Sequence, residues 1–158
     1  MVWLRSIDAS MNADIVAAID DRLGGVAAEQ GVRIPWAIES GSRAWGFPSP
    51  DSDYDCRFFY VRTAEEYLSP WRPRDVIETP LDAISDVNGW DLIKAVRLAV
   101  RGNATVGEWL RSPLIYGGDE AFRAELLALV DAVTTRPRLR RHLPLPRTPP
   151  ARPGRAGG

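Results

Sequence analysis

Two short clusters of residues have types and spacing suited to chemistry. Asp53 and Asp55 flank Tyr54 where a β-strand is expected to open. Side chains alternate along a strand, so both carboxylates point to one face. Two ionised carboxylates held side by side repel one another unless solvent or a cation neutralises them. Mg²⁺ suits such a pair, because it takes one or two carboxylates and completes its shell with water and substrate phosphates. The second cluster is Gly41-Ser42, between an expected strand and a helical turn. Glycine lets the backbone approach a ligand, a helix start offers N–H groups, and the Ser42 hydroxyl adds a donor, which together suit phosphate. Each cluster alone also fits a plainer role: an N-cap for Gly-Ser, and a solvated acidic loop for Asp-x-Asp.

A calcium loop is excluded. Asp51, Asp53 and Asp55 match its positions 1, 3 and 5, but the positions that require Gly and Glu hold Cys56 and Arg62. Cys56 is the only cysteine and His142 the only histidine. Multi-cysteine zinc sites, intrachain disulfides and histidine acid–base chemistry are therefore set aside. What remains is carboxylates, hydroxyls and backbone amides.

Charge is divided along the 158 residues. The net value is −1, yet all 21 acidic residues lie between Asp8 and Asp131. Thirteen basic residues against them leave −8 for residues 1–135, while residues 136–158 carry seven arginines, no acid and +7. An acidic body needs a basic patch or bound cations before a polyanion will approach it. The Arg/Pro-rich segment 136–158 cannot build a core and is expected to be a disordered tail. The body, 1–135, is long enough for one domain with a real core. No apolar run approaches the ~20 residues that span a bilayer. The N-terminus lacks a basic-then-apolar leader, so a cytoplasmic, membrane-free protein is expected.

The elements that must position the two clusters can be read from periodicity and breakers. Residues 12–30 carry an apolar stripe at helical spacing, weakened at Gly24-Gly25 and closed by Gly31. Residues 32–40 read as a strand that Pro35 makes either an edge strand or a kinked one. A helical turn over 42–45 and a loop over 46–53 follow. Residues 54–61 are the clearest strand, with Tyr54, Cys56, Phe58 and Tyr60 on the core side and Arg57 and Phe59 continuing the face of the acids. A turn over 64–68, strands over 76–79 and 81–87 (two strands joined at Pro80, or one with a bulge), and helices over 89–101, 105–112 and 119–133 complete the body. The order predicts an α/β (α+β) fold: a small mixed β-sheet flanked by helices.

Taken together, strand, Gly-Ser, helical turn, some ten residues, then Asp-x-Asp opening a strand resembles the DNA polymerase beta-like nucleotidyltransferase superfamily. The runs ESGSRAWGFPSPDSDYDCRFFYV, YLSP, RDVIE, DVNGWDLIKAVRL and GNATVGEWLRSPLIY are similar to a bacterial nucleotidyltransferase family associated with RNA-repair ligases. They cover roughly residues 30–117. The resemblance implies a polymerase beta palm-like fold, an NTP substrate and two Mg²⁺ ions. It implies that Gly41 and Ser42 hold the nucleotide's phosphates and that Asp53 and Asp55 carry the metals, with a third carboxylate on a later strand. Asp86 is the first choice for that acid, with Glu78 and Asp91 as alternatives. Arg43 and Lys94 are candidate phosphate contacts, or else surface ion pairs. Trp45, Trp90 and Trp109 are candidates to stack a base, or else core residues. The implied reaction transfers a nucleoside monophosphate to an acceptor hydroxyl: an RNA end by context, otherwise a protein or small molecule. Family members continue with further helices, so the domain is expected to be truncated at its C-terminus. That leaves a second reading, a catalytically incomplete nucleotide-binding or regulatory protein.

Overall fold

The computed structural model describes residues 1–47, 52–80 and 85–134. The first helix shows why the chain folds as its pattern demands. In α1 (Ala13–Gln30), Val16, Ile19, Leu23 and Val26 recur at helical spacing and are the residues it buries. The Asn12 side chain accepts from the Asp14 and Ile15 amides, and Gly31 ends the helix in the left-handed region, φ 61°. Gly24 and Gly25 do not interrupt it.

The strands are β1 (Trp3–Ser6), β2 (Arg33–Glu39), β3 (Tyr54–Val61), β4 (Val76–Glu78), β5 (Ser85–Asp91) and β6 (Ile115–Asp119). The remaining helices are α2 (Gly41–Ala44), α3 (Ala64–Leu68), α4 (Leu92–Val100), α5 (Ala104–Arg111) and α6 (Glu120–Val133). One six-stranded mixed sheet has the order β1-β6-β2-β3-β5-β4. Among the described residues only β3 and β5 pair in parallel; β4 returns antiparallel on β5. The fold is α+β, as expected.

Both faces of the sheet are covered. On one side α1 packs over Tyr54, Cys56, Phe58 and Tyr60, with Val87 and Tyr116. On the other, Phe59, Trp36 and Ile38 meet Ala95, Ala99, Val106, Trp109, Leu110, Leu126 and Val130 of the three long C-terminal helices. The alternation of β3 thus feeds two cores, and Tyr54, Cys56, Phe58, Phe59 and Tyr60 are all buried. Fully buried, Cys56 has its thiol pushed well above the usual range, chiefly by desolvation.

One open alternative is resolved, one expectation is corrected, and two strands join those expected. Pro35 does not mark an edge: β2 pairs with β3 on one side and β6 on the other, and the register shifts between Arg33 and Trp36. A kink absorbs the missing amide. Residues 89–91, expected to open a helix, instead complete β5. There Gly89 lies opposite Phe58, and a Cβ on it would fall 2.2 Å from the Phe58 ring. The helix begins only at Leu92, capped by the Asp91 side chain. The strands β1 and β6 were not among those expected. In β6 a Cβ on Gly118 would lie 2.0 Å from Trp36. Glycine is needed there so that the strand can pass a tryptophan. The expected tail, Asp51, and most of the expected strand 81–87 lie outside the described residues.

Candidate active site

The parallel pairing of β3 and β5 brings the acids together. Its register sets Tyr54 opposite Ser85 and Asp55 opposite Asp86. Side chains directly opposite on neighbouring strands share a face. Between them lies the Arg57 guanidinium. One nitrogen, Nη2, is 2.8 Å from Asp86 Oδ2 and also in ionic contact with Asp55 Oδ1. The contact with Asp55 is not an aligned hydrogen bond: Asp55 Oδ1 is buried and has no hydrogen-bond partner among the described residues. The other Asp86 oxygen accepts from the Asn88 side chain at 2.6 Å. The Asp55 carboxyl is raised above its usual range, first by burial; Arg57 opposes the shift and Asp86 adds to it.

Beneath this pair, the last residue of β2 acts as a bracket. Glu39 is fully buried. Its Oε1 accepts from the Asp55 amide at 3.0 Å, and its Oε2 from the Tyr116 hydroxyl at 2.6 Å. The Ser112 hydroxyl donates to its carbonyl, and the Ser40 amide donates to the Asp55 carbonyl. Burial raises the Glu39 carboxyl despite these donors, and the Tyr116 hydroxyl is displaced upward, first by its own burial. Neither Glu39 nor Tyr116 was singled out from sequence. The signal for Glu39 is a lone acid ending an otherwise apolar strand, which must be satisfied if buried.

The Gly41-Ser42 turn sits directly above. Gly41 has φ 66°, and a Cβ there would lie 3.4 Å from Asp55 Oδ2. Glycine serves both the left-handed backbone and the close approach to the acid. Ser42 is exposed and its hydroxyl is 3.4 Å from that of Ser52. Arg43 donates to the Ser52 carbonyl at 2.5 Å and lies 4.0 Å over the Tyr54 ring. It therefore pins the chain on the approach to β3. Asp53 is exposed just ahead of the strand.

The alternatives separate by position. Glu78 pairs with Asn88 on the outer side of β5, and its carboxylate binds Arg74. Asp91 lies at the far end of β5, roughly 16 Å from Asp86 at ~3.3 Å per residue. Lys94 follows it on α4 and bonds Asp75 at 3.1 Å, so the fold does not bring it to Gly41 and Ser42. Among the tryptophans, Trp109 is buried and stacks on Trp90 with centroids 4.2 Å apart. Trp45, directly after α2, is exposed.

Among the described residues, no group of three or more His, Cys, Asp or Glu stands close enough to hold a metal ion. The pair Asp55 and Asp86 nevertheless fits one cation. A buried oxygen without a hydrogen bond faces a second carboxylate, and a positive group already lies between them.

A mixed sheet with a Gly-Ser turn against acids on two adjoining strands is consistent with the polymerase beta-like class. Residues 15–143 match the RNA repair pathway DNA polymerase beta family, and the protein belongs to that family. It is also 50% identical over 98 residues to the uncharacterized protein YcgL of Bacillus subtilis (strain 168). That match covers 62% of this chain but only 38% of the relative. The chain thus spans little more than a third of that relative's length. No helix among the described residues is long and apolar enough to cross a membrane.

Proposed function

We propose that this protein is a Mg²⁺-dependent nucleotidyltransferase. It would move a nucleoside monophosphate from an NTP to an acceptor hydroxyl. The acceptor hydroxyl loses its proton to solvent and its oxygen bonds to the α-phosphorus as the bond to the bridging β-phosphate oxygen breaks, and pyrophosphate leaves. The observation that carries this reading is the register pair Asp55 and Asp86 beside Gly41-Ser42. The family supports an acceptor at an RNA end; a protein side chain or small molecule is the alternative.

In this reading Asp55 and Asp86 hold the cations, joined by exposed Asp53 at the mouth of the site. Gly41 and Ser42 receive the phosphates, where the absence of a Cβ lets them approach Asp55. Glu39 fixes the Asp55 backbone, so the carboxylate is presented without the chain having to reorganise. When bound, the ions would neutralise the triphosphate and lower the acceptor hydroxyl's pKa. The acidity of the body then becomes an asset, since cations reverse its sign toward a polyanion.

Asp53→Asn tests the reading. It should abolish Mg²⁺-dependent incorporation of labelled NTP while leaving the melting temperature nearly unchanged, because Asp53 is exposed. Retained incorporation contradicts the assignment. The alternative is a nucleotide-binding or regulatory protein without turnover. Calorimetric binding of ATP and Mg²⁺ without pyrophosphate release would select it.

A further inference from the structure

Arg57 occupies the space that a bridging cation needs. Its Nη2 alone touches Asp55 Oδ1 and Asp86 Oδ2, and an ion shared by those oxygens requires the same point. A cation held by Asp55 and Asp86 would therefore not share this space with the guanidinium.

The hold on Arg57 is uneven. Toward Asp86 it is a hydrogen-bonded ion pair, and Asn88 orients that carboxylate from the other side. Toward Asp55 it is ionic contact without alignment. Its remaining bond, from Nη1 to the Cys56 carbonyl, is long at 3.4 Å. The side chain keeps one fifth of its surface exposed, so it has a route to solvent. The charge count fits a placeholder: one positive group against two carboxylates leaves the pair short of neutral, and a divalent ion would complete it.

We infer that Arg57 is the resident counterion of the Asp55–Asp86 pair, holding the two strands' acids together without metal and competing directly with the cation that replaces it. This rests on the proposed function only in taking that pair as the metal site. A guanidinium cannot shed its proton to make way, so exchange requires the side chain to move. The apparent metal affinity is then reduced by the fraction of molecules in which Arg57 has left.

The test is Mn²⁺ binding to the full chain without nucleotide, followed by electron paramagnetic resonance. The proteins compared are wild type, Arg57→Gln, Arg57→Lys and the double variant Arg57→Gln/Asp86→Asn. Arg57→Gln should bind Mn²⁺ about ten-fold more tightly than wild type, as expected when roughly a tenth of wild-type molecules are open. Adding Asp86→Asn should remove the gain. Melting in EDTA should show Arg57→Gln destabilised and excess Mg²⁺ should restore it. If Arg57→Gln does not fold, Arg57→Lys carries the test, with a gain of a few-fold from its weaker bridge. Affinity equal to or below wild type in the folded variant overturns the inference and leaves the proposed function standing. If neither wild type nor variant binds Mn²⁺, the inference and the metal-dependent reading fall together.

Discussion

The two ends of the parallel pair β3–β5 carry the same residue types to different effect. At the head of the strands, Asp55 and Asp86 share one guanidinium, and Asp55 Oδ1 has ionic contact but no aligned donor. At the tail, Asp91 faces Arg62 with Nε–Oδ2 at 3.8 Å, and both side chains are nearly buried. There the Tyr67 hydroxyl lies 3.3 Å from both Asp91 oxygens, and the Ile93 amide donates to one of them at 2.8 Å. Asp91 thereby caps α4 and ties it to α3. Arg62 also binds Glu66 at 3.1 Å. An acid whose lone pairs are consumed by the fold holds structure, whereas one left short of donors is poised for a ligand.

The largest effect on stability is expected at the tail. Asp91→Ala leaves Arg62 with Glu66 as its one carboxylate, strips the Tyr67 hydroxyl of its acceptor and removes a helix cap, and should cost ~2–4 kcal/mol. Urea melts check this. A loss below ~1 kcal/mol would break the contrast, because Asp91 would then be no more structural than Asp86.

A smaller effect is expected at the head. Gly41→Ala puts a side chain into left-handed backbone, at ~1–2 kcal/mol, and sets a methyl against Asp55 Oδ2. Its melting temperature should fall modestly while nucleotide incorporation falls much further. Proportional losses in both would mean that the turn is only structural.

The smallest effect sharpens the role of the bracket. Burial raises the Glu39 carboxyl above its usual value of 4.5. The folded chain then binds that proton more tightly than the unfolded chain. Its contribution to stability is fully present below pH 4.5 and is lost as pH rises through the raised value. Glu39→Gln lacks this slope, so wild type should lose its advantage over the variant as pH increases in EDTA. A constant gap between the two melting curves contradicts a raised carboxyl.

Much of this arrangement was legible in local pattern. The stripe of α1, the span of β3 and the turn over α3 follow from spacing and capping alone, with Thr63 and Glu66 closing a capping box. The two chemical clusters were visible because their residue types are costly without a purpose. What escaped depends on partners distant in sequence. β6 carries no strand pattern of its own, and its glycines are explained only by Trp3 and Trp36 packed against them. Residues 89–91 joined β5 because Phe58 to Tyr60 offered a parallel partner. Choosing among Asp86, Glu78 and Asp91 requires strand register, which no single segment encodes. Glu39 and Arg57 enter the site by the same route, through pairings across β2, β3 and β5.

The most direct measurement compares Asp86→Asn with Asp91→Ala. Both are assayed for pyrophosphate release from Mg²⁺-NTP with acceptor, normalised to the folded fraction. Asp86→Asn should lose turnover while keeping its melting temperature. Asp91→Ala should melt early yet turn over normally while folded. Turnover that survives Asp86→Asn, or that vanishes in folded Asp91→Ala, would contradict the assignment of the active site to the head of these strands.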